Sequence, residues 1–220
     1  MISKKVRTIA IGTSRLDYKK IVFKVLDFLD RHIDNFQTYS QDSKYVNNNE
    51  KSINSKLVIY FNNIAIDDEA IDVFRFHFDK DTPLKESNHT PDIGVLLANK
   101  NSSSDAFFHI ECKRLPARKQ HDQEYVHGKL GGIQRFKEGK HGSDFNYSAM
   151  VGFIEKENFE YWFFKINVWI DELIKNKICF WHEADKLAPV PFKNYRRHIS
   201  NHSRGNKSNC IQLYHYWIYL

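Results

Sequence analysis

The chain has 220 residues, of which 41% are hydrophobic and 15% aromatic. This length and apolar content suffice for one domain with a buried core, and they exclude global disorder. The formal net charge of +6 is compatible with a polyanionic partner, but it is modest for a chain of this size and also suits simple solubility.

The sequence shows none of the usual signals for export, membrane insertion or zinc binding. No apolar run reaches about 18 residues, and the N-terminal MISKKVRTIAIG lacks the apolar core of a secretory signal. The three cysteines, Cys112, Cys179 and Cys210, have no paired spacing typical of a metal site or a disulfide framework. We therefore expect reduced thiols, a cytoplasmic protein and no membrane partner.

The first part of the chain is predicted to be helical. Residues 14–36 carry apolar side chains at steps of three and four, which is one face of an amphipathic helix. A polar stretch follows, after which Asn48 or Asn49 can cap a second helix whose first turn contains Glu50. We assign residues 1–47 to an N-terminal helical extension.

The centre of the chain, residues 48–180, predicts a mixed sheet flanked by helices. Residues 71–79 alternate aromatic side chains, and DIGVLLA and AFFHIECKRL form a hairpin around the polar turn NKNSSSD. Residues 120–138 look mainly helical but are interrupted by Gly131 and Gly132. Residues 148–155 predict a strand, and NFEYWFFKINVWIDELIKNK predicts a long helix. The fold class is therefore α/β, with four to five strands and an extra N-terminal helix.

The C-terminal segment, residues 181–220, is basic. Between residues 186 and 207 there are six Lys or Arg residues and no Asp or Glu, and the final IQLYHYWIYL returns to the sheet or packs on it. Two interpretations stay open, an ordinary solvated surface and a loop that contacts phosphate. The second assigns nucleic-acid binding to Arg196, Arg197, His202 and Arg204.

Three charged residues lie in otherwise apolar strands of the hairpin: Asp92, Glu111 and Lys113. Side chains alternate along a strand, so Glu111 and Lys113 share a face, and the turn brings Asp92 beside Glu111. Burying such charges is costly unless they are paired or coordinated, and an all-oxygen ligand set favours Mg²⁺ or Mn²⁺. The alternative is a solvent-facing ion pair of Glu111 with Lys113, and a turn role for Asp92.

The letters Pro91-Asp92 followed by Glu111-Cys112-Lys113 resemble the PD-(D/E)xK signature of the restriction-endonuclease-like nucleases. The resemblance covers residues 48–155. It implies that Asp92, Glu111 and the main-chain carbonyl of Cys112 bind the metal, and that Lys113 orients or deprotonates the attacking water. A glutamate of the first core helix, as in many members, would be Glu50, with Glu69 as its competitor.

A second stretch, EYVHGKLGGIQRFKEGKHG before AMVGFI, is similar to a segment of prokaryotic nucleases of the same superfamily. This resemblance implies a metal-dependent DNA endonuclease in restriction or phage defence, with room for a protein partner or a homodimer. Arg114, Gln134 and Arg135 are then candidates for contacting DNA, although Gln134 and Arg135 also suit an ordinary exposed helix. The alternative function is a catalytically idle nucleic-acid-binding or scaffolding subunit.

Overall fold

The computed structural model describes residues 15–42, 49–68, 70–78, 91–98, 106–117, 123–128, 130–178, 180–190, 197–204 and 207–220. Within these ranges the chain forms one seven-stranded sheet with helices on both faces. None of the described helices combines the length and the apolarity that crossing a lipid bilayer requires.

Three helices come first. They are α1 (Arg15–His32), α2 (Phe36–Asp42), which follows a short 3-10 turn, and α3 (Glu50–Asp67). Helix α3 begins where its cap predicts, because the side chain of Asn49 accepts a hydrogen bond of 2.8 Å from the main-chain nitrogen of Ser52. The amphipathic helix predicted over residues 14–36 is confirmed for residues 15–32, a 3-10 turn follows it, and residue 14 lies outside the described residues.

The sheet contains seven strands in the described part of the chain. They are β1 (Phe74–Phe78), β2 (Ile93–Leu97), β3 (Phe108–Leu115), β4 (Tyr147–Ile154), β5 (Ala188–Pro189), β6 (Arg197–Arg204) and β7 (Lys207–Tyr219), in the spatial order β1-β2-β3-β4-β7-β6-β5. β3 pairs in parallel with β4 and β4 with β7, while the other pairs are antiparallel. The predicted mixed α/β sheet is confirmed, but the expected four to five strands are too few.

The missing strands come from the C-terminal segment. β7 lies inside the sheet between β4 and β6, so IQLYHYWIYL does return to the sheet as expected. β6 was not predicted, because its sequence RHISNHSR carries hardly any apolar residues. Its polar side chains are nevertheless mostly buried, which a test for hydrophobic periodicity cannot reveal.

Two helices lie after β3: α4 (Gly132–Lys137) and α5 (Phe159–Lys175). The helix expected over residues 120–138 is therefore too long, since the described residues 123–128 form turns. Gly131 explains the interruption. A Cβ atom there would lie 2.4 Å from the main-chain carbon of His127, so the chain doubles back too closely for any larger residue.

The core has one part on each face of the sheet. Ile93, Ile110 and Cys112 point to the face covered by α1, α2 and α3, whereas Met150 and Trp217 point to the face covered by α4 and α5. Because side chains alternate along β3, Glu111 and Lys113 project toward the α4 face. The two charged residues are thereby placed next to α4 and the turns before it.

Candidate active site

The β2–β3 hairpin brings Asp92 and Glu111 next to each other. Ile93 of β2 pairs with Ile110 of β3, and the two acids are the next residues outward on each strand. Oδ2 of Asp92 accepts a hydrogen bond of 2.9 Å from the main-chain nitrogen of Cys112. Asp92 is 2% exposed and Glu111 is 1% exposed, so both carboxyl groups are almost wholly removed from water.

Lys113 forms the third part of this cluster. Its Nζ atom lies 3.0 Å from Oε1 of Glu111, and the residue is 5% exposed. Burial by itself would lower the pKa of Lys113, but the charges of Glu111, Asp92 and Glu50 outweigh burial and raise this pKa above its ordinary value. Glu111 and Lys113 are therefore both buried, which the solvent-facing alternative does not describe.

Glu50, the first residue of α3, shares this electrostatic environment. Burial raises the pKa of its carboxyl group, Lys113 lowers it, and the charges of Asp92, Glu124 and Glu111 raise it, with a net upward shift. The competing Glu69 lies outside the described residues. Glu50 is the one glutamate within Glu50–Asp67, and its carboxyl group interacts with the charges of the cluster.

Three further side chains from the α4 region complete the cluster. Oε1 of Glu124 lies 3.5 Å from Nζ of Lys113, Nη1 of Arg135 lies 3.6 Å from Oε1 of Glu111, and Nε2 of His141 lies 3.4 Å from Oε2 of Glu111. Arg135 was predicted as a phosphate contact and lies beside Glu111. Glu124 and His141 were not singled out, because they lie in turns where no periodicity marks a buried side.

The cluster contains more negative than positive charge. Its charged members are Asp92, Glu111, Glu50, Glu124, Lys113 and Arg135. Four carboxyl groups face two basic side chains, so full ionisation leaves a formal excess of two negative charges. A divalent cation would neutralise this excess, and carboxylate oxygens are the ligands that Mg²⁺ and Mn²⁺ prefer.

One acceptor atom of Glu111 lacks a hydrogen bond. Its Oε2 atom is buried and receives no hydrogen bond from the residues that the structure describes, although Nε2 of His141 lies 3.4 Å away. Such an atom is costly to bury unless a donor or a cation satisfies it. Within the described ranges no three His, Cys, Asp or Glu side chains converge as a preformed metal site, so the fit to a cation comes from charge and donor chemistry.

The predicted DNA contacts in the C-terminal segment need correction. Arg197, His202 and Arg204 are 3%, 0% and 2% exposed, and each has partners within the protein. Nε of Arg197 donates to Oδ1 of Asp30 at 2.8 Å, and its guanidinium lies over the ring of Tyr216. These groups are structural in this fold, since buried side chains with such partners are not presented to a phosphate backbone.

Arg204 shows this most clearly. Its guanidinium donates to the main-chain oxygens of Phe136, Ser143 and Gly142 at 3.0, 2.8 and 2.6 Å. It therefore holds the turn that follows α4, which carries His141. Arg204, which the sequence suggested as a phosphate ligand, instead holds the main chain that borders the candidate site.

The remaining predicted contacts lie in different settings. Arg114 is 7% exposed and forms an ion pair with Glu155. Gln134 is half-buried, accepts a hydrogen bond from the main chain of Gly128 and donates to Glu138. Arg196 lies outside the described residues. Of the predicted nucleic-acid contacts that the structure describes, Arg135 is the one that lies next to the acidic cluster.

Comparison with known proteins adds no relative. No protein-family model matches the chain, and neither a curated protein nor a solved structure matches it.

Proposed function

We propose that the chain is a metal-dependent endonuclease that hydrolyses DNA phosphodiester bonds, acting in prokaryotic restriction or phage defence. One observation carries the proposal. Asp92, directly before β2, and Glu111 and Lys113, both on β3, lie in one buried cluster at the end of a hairpin. Charges in such a place are expensive for folding and are therefore expected to serve chemistry.

The order of the elements supports the same proposal. Helix α3 precedes three antiparallel strands, β1, β2 and β3, and helix α4 then leads to β4, which is parallel to β3. The PD-(D/E)xK resemblance depends on this succession of helix, three strands, helix and strand. A restriction-endonuclease-like core, with β5, β6 and β7 as additions, is accordingly part of the proposal.

The proposed ligands of the ion are the side chains of Asp92 and Glu111 and the main-chain carbonyl of Cys112, with Glu50 as a further carboxylate. When bound, Mg²⁺ or Mn²⁺ would polarise the phosphate and lower the pKa of a coordinated water. All of these donors are oxygens, and the excess negative charge of the cluster favours a divalent cation.

The basic side chains have complementary roles. Hydrolysis breaks a P–O bond when water attacks the phosphorus in line with the leaving oxygen, and negative charge builds up on the phosphoryl oxygens. Lys113 carries a positive charge beside Glu111 and can orient the water or stabilise that charge. Arg135, whose side chain is 13% exposed, borders the cluster and can bind the phosphate on either side of the scissile bond.

A plasmid-cleavage assay tests the proposal. Supercoiled DNA is incubated with the wild-type protein, Glu111→Gln and Lys113→Ala in EDTA, in Mg²⁺ and in Mn²⁺. The matched control is Glu160→Gln, which removes an exposed carboxylate on α5. The proposal predicts cleavage that needs metal, persists in the control and falls by at least about 100-fold in both site variants.

The same assay separates the idle-subunit alternative. Binding of DNA by the wild-type protein without cleavage in either metal would support a nucleic-acid-binding or scaffolding subunit. Cleavage that survives in Glu111→Gln would show that another site in the chain is responsible and would contradict the assignment.

A further inference from the structure

A continuous chain of buried hydrogen bonds runs from β7 through the turn before α4 to β6 and beyond. Its members, in spatial order, are Trp217, Tyr125, His215, Ser200, His202 and Asp185. The successive donor–acceptor distances are 3.1, 2.9, 2.7, 2.6 and 2.5 Å. All six residues are at most 1% exposed. No step of the proposed hydrolysis uses any of them.

The two end groups determine the direction in which the hydrogen bonds of this network are donated. The indole N–H of Trp217 can only donate, and the carboxylate of Asp185 can only accept. The hydroxyl of Tyr125 therefore accepts from Trp217 and donates to Nδ1 of His215. Continuing in the same direction, Nε2 of His215 donates to Ser200, Ser200 donates to Nε2 of His202, and Nδ1 of His202 donates to Asp185.

This direction satisfies every group when both imidazoles are neutral. A second proton on either ring would turn its acceptor nitrogen into a donor and leave one hydroxyl hydrogen without an acceptor. Asp185 has further donors at its end, because Nζ of Lys137 lies 2.6 Å from Oδ1 and the main-chain nitrogen of His182 lies 2.6 Å from Oδ2. In this arrangement of protons every group of the network has a partner.

The hydrogen-bonded network is attached at two points to the segment that borders the candidate site. We call residues 123–128 and 130–143 the α4 segment. Tyr125 lies near its start and Lys137 at the end of α4, and both are tied to the network. Within the segment, the main-chain nitrogens of Gly132 and Ile133 donate to the oxygens of Glu124 and Tyr125, which joins the turn to the helix.

The opposite side of the α4 segment carries the groups that reach the acidic cluster. Glu124, the residue before Tyr125, contacts Lys113. Arg135 and His141 contact Glu111. A shift of the segment relative to the sheet would change these contacts together. The polar network is a directional link that sets the position of Tyr125 and Lys137, while the hydrogen bonds of Arg204 hold the residues after α4.

We propose that this hydrogen-bonded network positions Glu124 beside Lys113 and Arg135 beside Glu111. By holding these side chains in place, the network sets the affinity of the cluster for a divalent cation. The inference rests on the proposed function, because it names what organises that same site. Tyr125 and Ser200 are its positioning residues, and neither touches the reacting groups. Loss of a group that hydrogen-bonds directly to a metal ligand typically weakens metal binding by about 10- to 100-fold, and Tyr125 and Ser200 act one contact further away, so the lower end of this range is expected.

The first test measures, without any metal, the direction in which the hydrogen bonds of the network are donated. Nitrogen-15 NMR of the histidine side chains in the full-length protein at pH 7.5 reports which ring nitrogen carries the proton. The expected result is a proton on Nδ1 of His202 and on Nε2 of His215, with both rings neutral. The opposite tautomer of His202 or His215, or a charged ring, would contradict the proposed direction of hydrogen-bond donation.

The second test measures positioning through the Mn²⁺ dissociation constant, obtained by titration calorimetry. Tyr125→Phe and Ser200→Ala each interrupt the hydrogen-bonded network by removing one hydroxyl group. Both are expected to weaken Mn²⁺ binding about tenfold. Tyr216→Phe is the matched control, since it removes a buried tyrosine hydroxyl that donates to Leu26 on the other face of the sheet. Ser200→Thr keeps a hydroxyl and is expected to restore the wild-type affinity.

The outcomes separate this inference from the proposed function. Wild-type affinity in Tyr125→Phe and Ser200→Ala, or equal weakening in Tyr216→Phe, would overturn the positioning role while leaving a metal-binding protein. If the wild-type protein binds no Mn²⁺, both the proposed function and the positioning role fail. The NMR result then tests only the direction of hydrogen-bond donation in the network.

Discussion

Nζ of Lys113 lies 3.0 Å from Oε1 of Glu111, two residues earlier in the same strand, and both side chains are buried. A buried ion pair seldom stabilises a fold, because removing two charges from water costs about as much as their attraction returns. The pair and the acids around it are therefore better explained by chemistry at this site than by stability.

Substitutions of this pair should show that stability is not its purpose. Lys113→Met leaves Glu111 buried without its closest cation and should lower the free energy of unfolding by about 3 kcal/mol. The double variant Glu111→Leu/Lys113→Met should recover most of that loss, because apolar side chains of similar volume need no partner. Urea unfolding measures both values, and a double variant less stable than Lys113→Met would contradict this account.

Asn54 offers a second test on the helix that carries Glu50. It is wholly buried one turn after Glu50, and neither its amide nitrogen nor its oxygen has a hydrogen-bond partner among the described residues. Asn54→Leu should therefore raise the free energy of unfolding by about 1 to 2 kcal/mol, since it removes two costly buried groups.

The matched position for Asn54 lies on the same helix. Asn62 donates to the oxygen of Phe76 at 2.9 Å and accepts from its nitrogen at 3.0 Å, so both of its amide groups are satisfied. Asn62→Leu should lower the free energy of unfolding by about 1 to 3 kcal/mol. Thermal or urea unfolding of the two variants should give changes of opposite sign, and a loss at both positions would refute the analysis of Asn54.

Arg204 should matter for stability before it matters for DNA. Arg204→Ala removes three charge-assisted hydrogen bonds to main-chain oxygens and should lower the free energy of unfolding by about 3 kcal/mol or more. Arg204→Lys should recover little, because an ammonium group cannot span the same three acceptors. Normal stability combined with weakened DNA binding in Arg204→Ala would restore the phosphate-contact hypothesis.

Acid should destabilise the fold partly through His198. Its ring lies 4.8 Å from that of Phe163 and 4.4 Å from that of Trp217, and burial lowers the pKa of His198 to about 4. The unfolded chain has an ordinary histidine pKa of about 6.5, so it binds the proton more readily than the folded chain. The contribution of His198 is therefore fully present above pH 6.5 and is lost as the pH falls toward 4.

The size of this effect follows from the shift. A difference of about 2.5 pKa units corresponds to a loss of about 3 kcal/mol between pH 6.5 and 4. His198→Phe keeps an aromatic ring in the stack and should flatten this part of the pH profile of urea unfolding. A variant at the exposed His77 controls for the loss of a histidine as such. Parallel profiles for the wild type and His198→Phe would contradict the assignment.

The hairpin and its three charged residues could be predicted because their signals are local. Strand alternation places Glu111 and Lys113 on one face, and a turn of ordinary length returns the chain to Asp92. These rules need no knowledge of the rest of the fold. Glu50 was a candidate because the PD-(D/E)xK resemblance implies a glutamate of the first core helix, and the cap at Asn49 sets where that helix begins.

The other half of the site could not be predicted, because it depends on long-range packing. Glu124 and His141 lie in turns without periodicity, and only the crossover from β3 to β4 brings them over the sheet. β6 was missed for a related reason. Its buried side chains are polar, and those of Arg197, Ser200, His202 and Arg204 hydrogen-bond within the fold, whereas the composition of the strand predicts an exposed segment.

The central claim is that a hard divalent cation binds between Asp92 and Glu111. Anomalous scattering from crystals of the protein soaked in MnCl₂ tests it most directly. The account predicts an anomalous peak within coordination distance, about 2.2 Å, of carboxylate oxygens of both residues, and no peak there in Glu111→Gln. A wild-type crystal without density at that position, or with Mn²⁺ bound only elsewhere, would contradict the account.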